Sequence, residues 1–191
     1  MIQTAPHPRL AAPKETGESA VSRLEQIEVT PAAPEQEPVV ANLLELYMHD
    51  FSEFLDVELG TDGRFVYPHL SSYWLEPDRH LFLVTVDGRL AGVILVKKES
   101  GGRDNEAAWD MAEFFVVRKY RRRGVGTEAA HRVWKRLPGR WQVRVMESNR
   151  PALGFWDRAI AGFAGAASQS VRIENGGRRW TVFTFESPRS E

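Results

Sequence analysis

The sequence contains no cysteine, and this absence removes several kinds of chemistry at once. Without a thiol the chain has no disulfide framework, no cysteine nucleophile and no thiolate-bound metal. The lack of disulfides is compatible with a reducing compartment, and we therefore expect a cytoplasmic protein. We expect no metal site, since the five histidines show no spacing typical of zinc ligands: His7, His49, His69, His80 and His131.

Long hydrophobic runs and an excess of one charge are also missing. No apolar stretch approaches the roughly 20 residues that a membrane helix needs. The net charge is −1, so no global field attracts nucleic acid or a membrane surface. Hydrophobic residues make up 42% and charged residues 27% of the 191-residue chain, which is typical of a globular protein. We expect neither nucleic acid nor a membrane as partner.

One folded domain is predicted for residues 23–188, because this length suits a single core and no internal repeat is visible. Residues 1–22 are predicted to form a flexible leader, since prolines interrupt any periodicity and large apolar residues are few. The leader shows no apolar core of the kind found in secretory signals.

Hydrophobic periodicity predicts the order β-α-α-β-β-β-α-β-α-β-β. Asp87-Gly88 and Asn175-Gly176-Gly177 are typical of hairpin turns, and Asn149 is a predicted helix N-cap. The predicted strands are 24–29, 80–86, 89–97, 107–117, 141–146, 168–173 and 179–185. The predicted helices are 34–49, 51–57, 124–137 and one from Asn149 onward, with an irregular or partly helical cover over 58–78.

The most informative stretch is Met111–Thr127, in which a buried strand, a basic glycine-containing turn and a helix follow one another. Free backbone N–H groups and the positive end of the helix dipole then point at whatever lies over the turn. Glycine allows the backbone to approach such an anion closely. This arrangement predicts an anion site, and a phosphate-bearing cofactor is its natural occupant.

Other phosphate motifs fit this turn less well. No Gly-x-x-x-x-Gly-Lys string is present, which excludes a P-loop. A dinucleotide fingerprint would be completed by Ala129 and Glu147, so spacing alone leaves it open, but the basic run before the glycines argues against it. The same arginines could contact nucleic-acid phosphates, although the chain offers no second basic stretch of similar density.

Arg-x-x-Gly-x-Gly directly after a strand resembles the acetyl-CoA-binding motif of the GNAT superfamily of N-acetyltransferases. A second segment, Asn149–Trp156, is similar to the Asn-x-x-Ala-x-x-Phe-Tyr segment of the same superfamily. The resemblance spans about residues 25–185. It implies an α/β GNAT fold: a mixed sheet of six to seven strands, splayed in the middle, with helices on both faces.

The resemblance also implies acetyl-CoA as cosubstrate, an amine as acceptor and no metal. In this family the turn amides hold the diphosphate, and the pantetheine arm bonds to the open edge of the fourth strand. Val116 N–H is the implied oxyanion donor. The residues implied to contact the cosubstrate are Phe115, Val116, Val117, Arg121, Arg122, Arg123, Gly124, Val125, Gly126, Thr127, Asn149, Phe155 and Trp156.

Trp156 departs from the family pattern. Many members carry a tyrosine here, whose hydroxyl protonates the leaving coenzyme A thiolate, whereas an indole N–H does not release its proton near neutral pH.

The leading hypothesis is an N-acetyltransferase acting by direct attack of a primary amine. The alternative is a non-catalytic acyl-CoA-binding module of the same fold.

Two carboxylates of the central strand are candidates for the general base. Glu113 and Asp110 lie three residues apart, so in a regular strand they face opposite sides and only one can face the acceptor, unless a bulge shifts the register. We favour Glu113, because Ala112 and Phe114 flank it and apolar surroundings raise a carboxyl pKa. A structural or solvated strand charge is the competing interpretation.

Acceptor recognition is expected from the first two helices and the segment after them. Acidic and aromatic groups there would suit a cationic amine, although helix capping and local packing explain any one of them equally well. The candidates are His49, Asp50, Glu53, Tyr67, His69, Tyr73 and Trp74. Self-association is common in the superfamily, so a homodimer is a possible assembly.

Overall fold

The computed structural model describes residues 25–65, 67–68, 70–99 and 107–189. Over these residues there are seven strands and four α-helices, which follow the predicted order except that the second helix lies at Ser72–Leu75 and not over 51–57. The strands are β1 Ile27–Pro31, β2 Arg79–Val86, β3 Arg89–Glu99, β4 Ala108–Val116, β5 Gly139–Met146, β6 Gln169–Asn175 and β7 Arg178–Ser187. The helices are α1 Glu37–Phe51, α2 Ser72–Leu75, α3 Val125–Arg136 and α4 Arg150–Ala164.

The strands form one mixed sheet in the spatial order β1-β2-β3-β4-β5-β7-β6. All neighbours are antiparallel except β4 and β5, which are parallel and are joined by the crossover helix α3. The expectation of a mixed α/β sheet with helices on both faces is confirmed.

Apolar side chains cover both faces of the sheet. One core lies beneath α3 and α4, where the large rings of Trp134, Trp141 and Phe185 pack together. The other lies beneath α1 and includes Leu44 and Phe115. Because both faces are covered, the interior strand β3 has a continuous buried run rather than an alternating pattern.

The hairpin turns have the backbone that their sequences predict. Asp87 and Gly88 both have positive φ, 49° and 73°, as a type I′ turn requires. Gly176 and Gly177 repeat this between β6 and β7, with φ of 59° and 70°.

The prediction of a second helix over 51–57 is wrong. Helix α1 continues to Phe51 and then stops, because Ser52 donates its hydroxyl to the carbonyl of His49 and competes with further helical bonds. After α1 the chain forms a turn, which is closed by a hydrogen bond of 2.9 Å from the Phe54 N–H to the Phe51 carbonyl. The aromatic spacing that suggested a helix instead reflects Phe51 and Phe54 packing ring against ring, 6.2 Å apart.

Two irregularities of β4 prepare the site. Its register with β3 shifts between Leu95 and Val96, which leaves Ala112 as an extra, bulged residue. Its parallel pairing with β5 covers only Trp109 and Asp110, and the two strands separate beyond that point. The splay implied by the resemblance is therefore present, and a cleft opens between the carboxyl-terminal halves of β4 and β5.

Several expectations fall outside the described residues: the leader over 1–22, the first residue of the predicted strand 24–29, and His69. Within the described ranges, no helix is both long enough and apolar enough to cross a membrane.

Candidate active site

A cleft of about 1280 Å³ lies where β4 and β5 separate. Its walls come from the carboxyl-terminal half of β4, the facing half of β5, the turn before α3, the first turns of α4 and the end of α1. The two motifs that are far apart in sequence, in Arg121–Thr127 and Asn149–Trp156, therefore meet across one space. This is the arrangement that a long, partly anionic ligand needs.

The turn before α3 supplies backbone donors. Gly124 is the N-cap, with φ of 80°, a left-handed conformation that glycine adopts without strain. The first hydrogen bond into the helix comes from Glu128 N–H to Gly124 C=O, at 3.0 Å. The N–H groups of Val125, Gly126 and Thr127 precede it and have no intrahelical acceptor, so they can receive an anion.

Gly126 allows close packing against α4 as well as close approach of a ligand. A Cβ at this position would lie 3.1 and 3.2 Å from two ring atoms of Phe155, closer than ordinary van der Waals contact. Phe155 in turn stacks on Phe114, with ring centroids 5.6 Å apart. The glycine lets α3 and α4 close on each other, so the two motifs depend on one contact.

Arg121 is held by protein groups. Its Nε donates to the carbonyl of Val116 at 2.6 Å, and its Nη2 contacts Asp50 at 2.5 Å. Arg118 reaches the other oxygen of Asp50 at 2.6 Å. Burial raises the pKa of Asp50, but hydrogen bonds from the two arginines outweigh this and leave the pKa below its ordinary value. The anion contact predicted for Arg121 therefore requires an exchange of these partners.

Three predicted contacts do not line the cleft. The side chain of Val125 is buried in the core, which leaves only its backbone N–H for a ligand. Arg123 is paired with Glu25. Val117 donates its N–H to Ala91 on β3, at 2.8 Å, so this donor is taken. Arg122, by contrast, lines the cleft in a left-handed conformation with φ of 60°.

The pairing of β4 decides which backbone groups face the opening. Antiparallel strands direct the N–H and C=O groups of successive residues alternately to one side and the other. Because the Val117 N–H points to β3, the Val116 N–H points toward β5, which is separated from β4 here. The Phe115 N–H points back to β3. Of the three β4 residues predicted to hold the ligand, Val116 offers its N–H to the cleft, and that group remains the predicted oxyanion donor.

The second motif begins as predicted. Asn149 is the N-cap of α4, and its Oδ1 accepts from Ala152 N–H at 3.1 Å. Trp156 lines the cleft but is only 6% exposed, because its indole packs against Phe114 and Phe155, with centroids 4.9 and 4.8 Å away. Trp156 is thus an apolar wall at the position where a phenol hydroxyl would be expected.

Glu113 lies on the floor of the cleft. Tyr67 donates its hydroxyl to Glu113 Oε1 at 3.0 Å, and Tyr47 on α1 is a second hydrogen-bonding neighbour. Burial raises the pKa of Glu113 and outweighs these hydrogen bonds, which lower it. A carboxyl with a raised pKa in a cleft suits a general base near neutral pH.

Asp110 lines the same cleft as Glu113, which is the case foreseen for a β4 whose register is shifted by a bulge. The bulge at Ala112 adds one residue and so brings positions 110 and 113 to the same face of the sheet. Asp110 is 1% exposed, and its Oδ2 accepts from Arg144 Nη2 at 2.7 Å. The strand alternation of a regular β4 could not have shown this.

Sequence reasoning missed three residues of the site. Arg144 alternates along β5 with the core residues Trp141, Val143 and Val145, so it lies on the opposite face of the sheet, and it lines the cleft. Trp180 and Tyr47 also line the cleft. Tyr47 carried no signal of its own, because its spacing also suits a core-facing helix position.

Of the acceptor candidates, Asp50 and Glu53 line the cleft, Tyr67 reaches Glu113, and Tyr73 is buried in the core beneath α1.

Two others lie elsewhere: Trp74 donates its indole N–H to Ala32, and His49 lies at the end of α1 outside the cleft lining. Across the described ranges, no group of three or more acidic or imidazole side chains is gathered to hold a metal ion.

Comparison with known proteins identifies the family of this chain. The family described as the acetyltransferase (GNAT) family matches residues 40–163. An acetyltransferase from Thermus thermophilus has a similar structure, with 19% identity and a TM-score of 0.61 over 84% of this chain and 96% of that one.

Two more distant structures agree in fold. A spermidine N-acetyltransferase from Vibrio cholerae, in complex with CoA and spermine, has 11% identity and a TM-score of 0.57, over 85% of this chain and 96% of that one. The ribosomal-protein-S18-alanine N-acetyltransferase from Escherichia coli has 11% identity and a TM-score of 0.55, over 87% of this chain and 97% of that one.

No curated protein matches the sequence. The family match nevertheless covers both motifs, most of helix α1 and the strands β2 to β5, which together build the cleft. The chain is an acyltransferase that belongs to the GNAT acetyltransferase family.

Proposed function

We propose that this protein transfers the acetyl group of acetyl-CoA to a primary amine by direct attack. The observation that carries the proposal is the single cleft joining the free N–H groups at the start of α3 to the buried carboxyl of Glu113. The first end suits the diphosphate of coenzyme A, and the second suits proton removal from an amine. The spermidine and ribosomal-protein acetyltransferases of similar fold act on amines, which supports this class of acceptor.

The residues around the cleft fit coenzyme A. The N–H groups of Val125, Gly126 and Thr127 would hold the diphosphate, Arg122 would add positive charge, and Val116 N–H would face the thioester carbonyl. The apolar wall of Phe155 and Trp156 suits the uncharged pantetheine arm.

In the reaction, one proton of the bound ammonium passes to the Glu113 carboxylate, and the freed nitrogen lone pair attacks the thioester carbon. The C–N bond forms and the C–S bond breaks, with the electron pair leaving on sulfur. The second proton lost by the nitrogen ends on that sulfur. Trp156 cannot deliver it, so solvent or another group supplies the proton to the thiolate.

The proposal is tested by thiol release from acetyl-CoA with a panel of primary amines, using the whole chain. We expect release that depends on the amine and exceeds amine-free hydrolysis. Glu113→Gln should lower kcat/KM by roughly 100-fold or more, since general base catalysis contributes at least that much. The matched control Glu186→Gln changes an exposed carboxylate of β7 outside the cleft and should leave the rate unchanged.

Two outcomes would contradict the proposal. If acetyl-CoA binds but no amine class releases thiol, the chain is an acyl-CoA-binding module, the alternative that the tryptophan at position 156 favours. If acetyl-CoA does not bind at all, both functions are refuted.

A further inference from the structure

The floor of the cleft carries a second carboxylate that base catalysis does not use. Asp110 is 1% exposed, yet its Oδ1 has no hydrogen-bond partner among the described residues. A buried acceptor without a donor costs free energy, about 1–3 kcal/mol and more when charged. Asp110 is one of the residues that line the cleft, and a buried acceptor without a donor at such a place is suited to accept a hydrogen bond from a ligand.

The bulge at Ala112 is what makes this carboxylate available. A regular strand would turn Asp110 to the opposite face from Glu113, into the core beneath α3 and α4. With the extra residue, the two side chains are neighbours on one face of β4, because Glu113 lies opposite Leu95 and Asp110 opposite Lys97 on β3. Burial is the main cause of the raised pKa of Glu113, and the Asp110 charge adds to it, which shows that the two groups share one environment.

The surrounding charges leave an excess of negative charge. Arg144 contacts Asp110 Oδ2 at 2.7 Å and Glu99 at 3.4 Å, while Lys97 contacts Glu99 at 2.5 Å. Arg79 also acts on Glu99, but it is paired with Glu76. Among the described residues, Arg144 and Lys97 therefore face three carboxylates when Glu113 is ionised, and one unit of negative charge remains for a ligand to balance. A cationic group is the complement, and an ammonium also supplies the missing N–H donors.

We propose that Asp110 is a specificity-determining residue that binds the acceptor as its ammonium cation, through the free Oδ1, beside Glu113. The preferred acceptors are then aliphatic primary amines, which are charged at neutral pH. Arylamines, which are neutral there, gain nothing from this carboxylate. This inference rests on the proposed function, since it assigns the acceptor class of the same cleft. The Arg144 guanidinium positions Asp110 by holding its other oxygen.

The experiment compares benzylamine with aniline, two acceptors that share a phenyl ring and differ in charge at neutral pH. Dissociation constants are measured by calorimetry on the full chain in the presence of coenzyme A, so that no turnover is needed. In the wild type we expect benzylamine to bind more tightly. Asp110→Asn should weaken benzylamine binding by about 10- to 100-fold, the range expected for one charge-assisted hydrogen bond. Aniline binding should change less than about threefold.

A purely structural role for Asp110 predicts a different result, because a distorted cleft would weaken both ligands equally. That outcome, or unchanged benzylamine binding, would overturn the inference. If the single variant does not fold, Asp110→Asn combined with Arg144→Gln removes both charges of the pair and leaves neither buried alone. This double variant should also lose the preference for benzylamine, and keeping it would overturn the inference.

Turnover separates this inference from the proposed function. Selective benzylamine binding without acetyl transfer would uphold the role of Asp110 and refute the acetyltransferase activity. Acetyl transfer with equal losses for both amines in Asp110→Asn would uphold the activity and refute the role.

Discussion

At the scale of single residues, the site depends on how burial and hydrogen bonds set the pKa of Glu113. Glu113 is surrounded by the phenols of Tyr47 and Tyr67, which favour its charged form, and by apolar neighbours, which disfavour it. Burial and the Glu113 charge raise the pKa of Tyr67, so its hydroxyl stays protonated and donates. The balance between these effects determines the pH range in which Glu113 can accept a proton.

Replacing Tyr67 by Phe should shift that range upward. The lost hydrogen bond favours the Glu113 carboxylate, so its removal raises the carboxyl pKa further. The acidic limb of the kcat/KM profile should then move to higher pH, with activity falling most on the acidic side. Steady-state rates across pH with one acceptor measure this. A limb that moves to lower pH, or does not move, would contradict the role of Glu113 as base.

At the scale of elements, the cleft depends on how closely α3 and α4 approach. Gly126 at the start of α3 faces the ring of Phe155 on α4, and Asn149 caps the same end of α4. On the other side, Asp50 at the end of α1 ties the acceptor-side helix to Arg118 and Arg121 before the anion-binding turn. The first contact joins the two cosubstrate segments, and the second connects the cosubstrate half of the cleft with the acceptor half.

Gly126→Ala should weaken acetyl-CoA binding without a large loss of stability. Alanine gains about 1 kcal/mol of helix propensity, which offsets part of the cost of pushing the Phe155 ring aside. The displaced ring narrows the cleft, and we expect the dissociation constant for acetyl-CoA to rise at least tenfold, about 1.4 kcal/mol. Calorimetric titration and thermal unfolding measure the two effects separately.

Gly88→Ala is the matched control, since Gly88 lies in the β2–β3 turn with φ of 73° and no neighbour within 4 Å of an added Cβ. It should lose about 1–2 kcal/mol of stability through backbone strain and keep its affinity for acetyl-CoA. Equal affinities in both variants would show that the contact of Gly126 with Phe155 does not shape the cosubstrate site.

At the scale of the whole molecule, one sheet with a core on each face holds the two motifs in register. The strands β4 and β5 pair only at their amino-terminal ends, and the cleft fills the gap where the sheet lacks backbone pairing. A ligand that binds in this gap replaces missing inter-strand contacts. Binding should therefore stabilise the molecule as a unit.

Acetyl-CoA at 100 times its dissociation constant should stabilise the fold by about 2.7 kcal/mol. For a domain of this size that corresponds to a rise in Tm of roughly 5–10 °C. Differential scanning calorimetry measures the shift, and adenosine, which lacks both the diphosphate and the pantetheine arm, serves as the control ligand. A rise with adenosine as large as that with acetyl-CoA would place the main contacts outside the turn before α3.

Local patterns were sufficient for much of this protein. Periodicity predicted the order of the strands and of the helices α1, α3 and α4, the glycine dipeptides predicted both hairpins, and Asn149 predicted the start of α4, because these features depend on neighbours within a few residues. The two motifs likewise indicated the family, since each is a short contiguous string of residues. The second helix over 51–57 failed for the same local reason, because aromatic spacing alone does not distinguish a helix from rings that pack across a turn.

Only the tertiary structure decided the acceptor half of the cleft. The bulge at Ala112 arises from the pairing of β4 with β3, and it moves Asp110 to the face of Glu113 against the alternation of a regular strand. The sequence by itself determined the elements and the cosubstrate motifs, in which the interacting groups are close along the chain. The partners of Asp110 and Arg121, namely Arg144 and Asp50, lie 34 and 71 residues away. Such contacts depend on how the strands and helices pack, so no local pattern could reveal them.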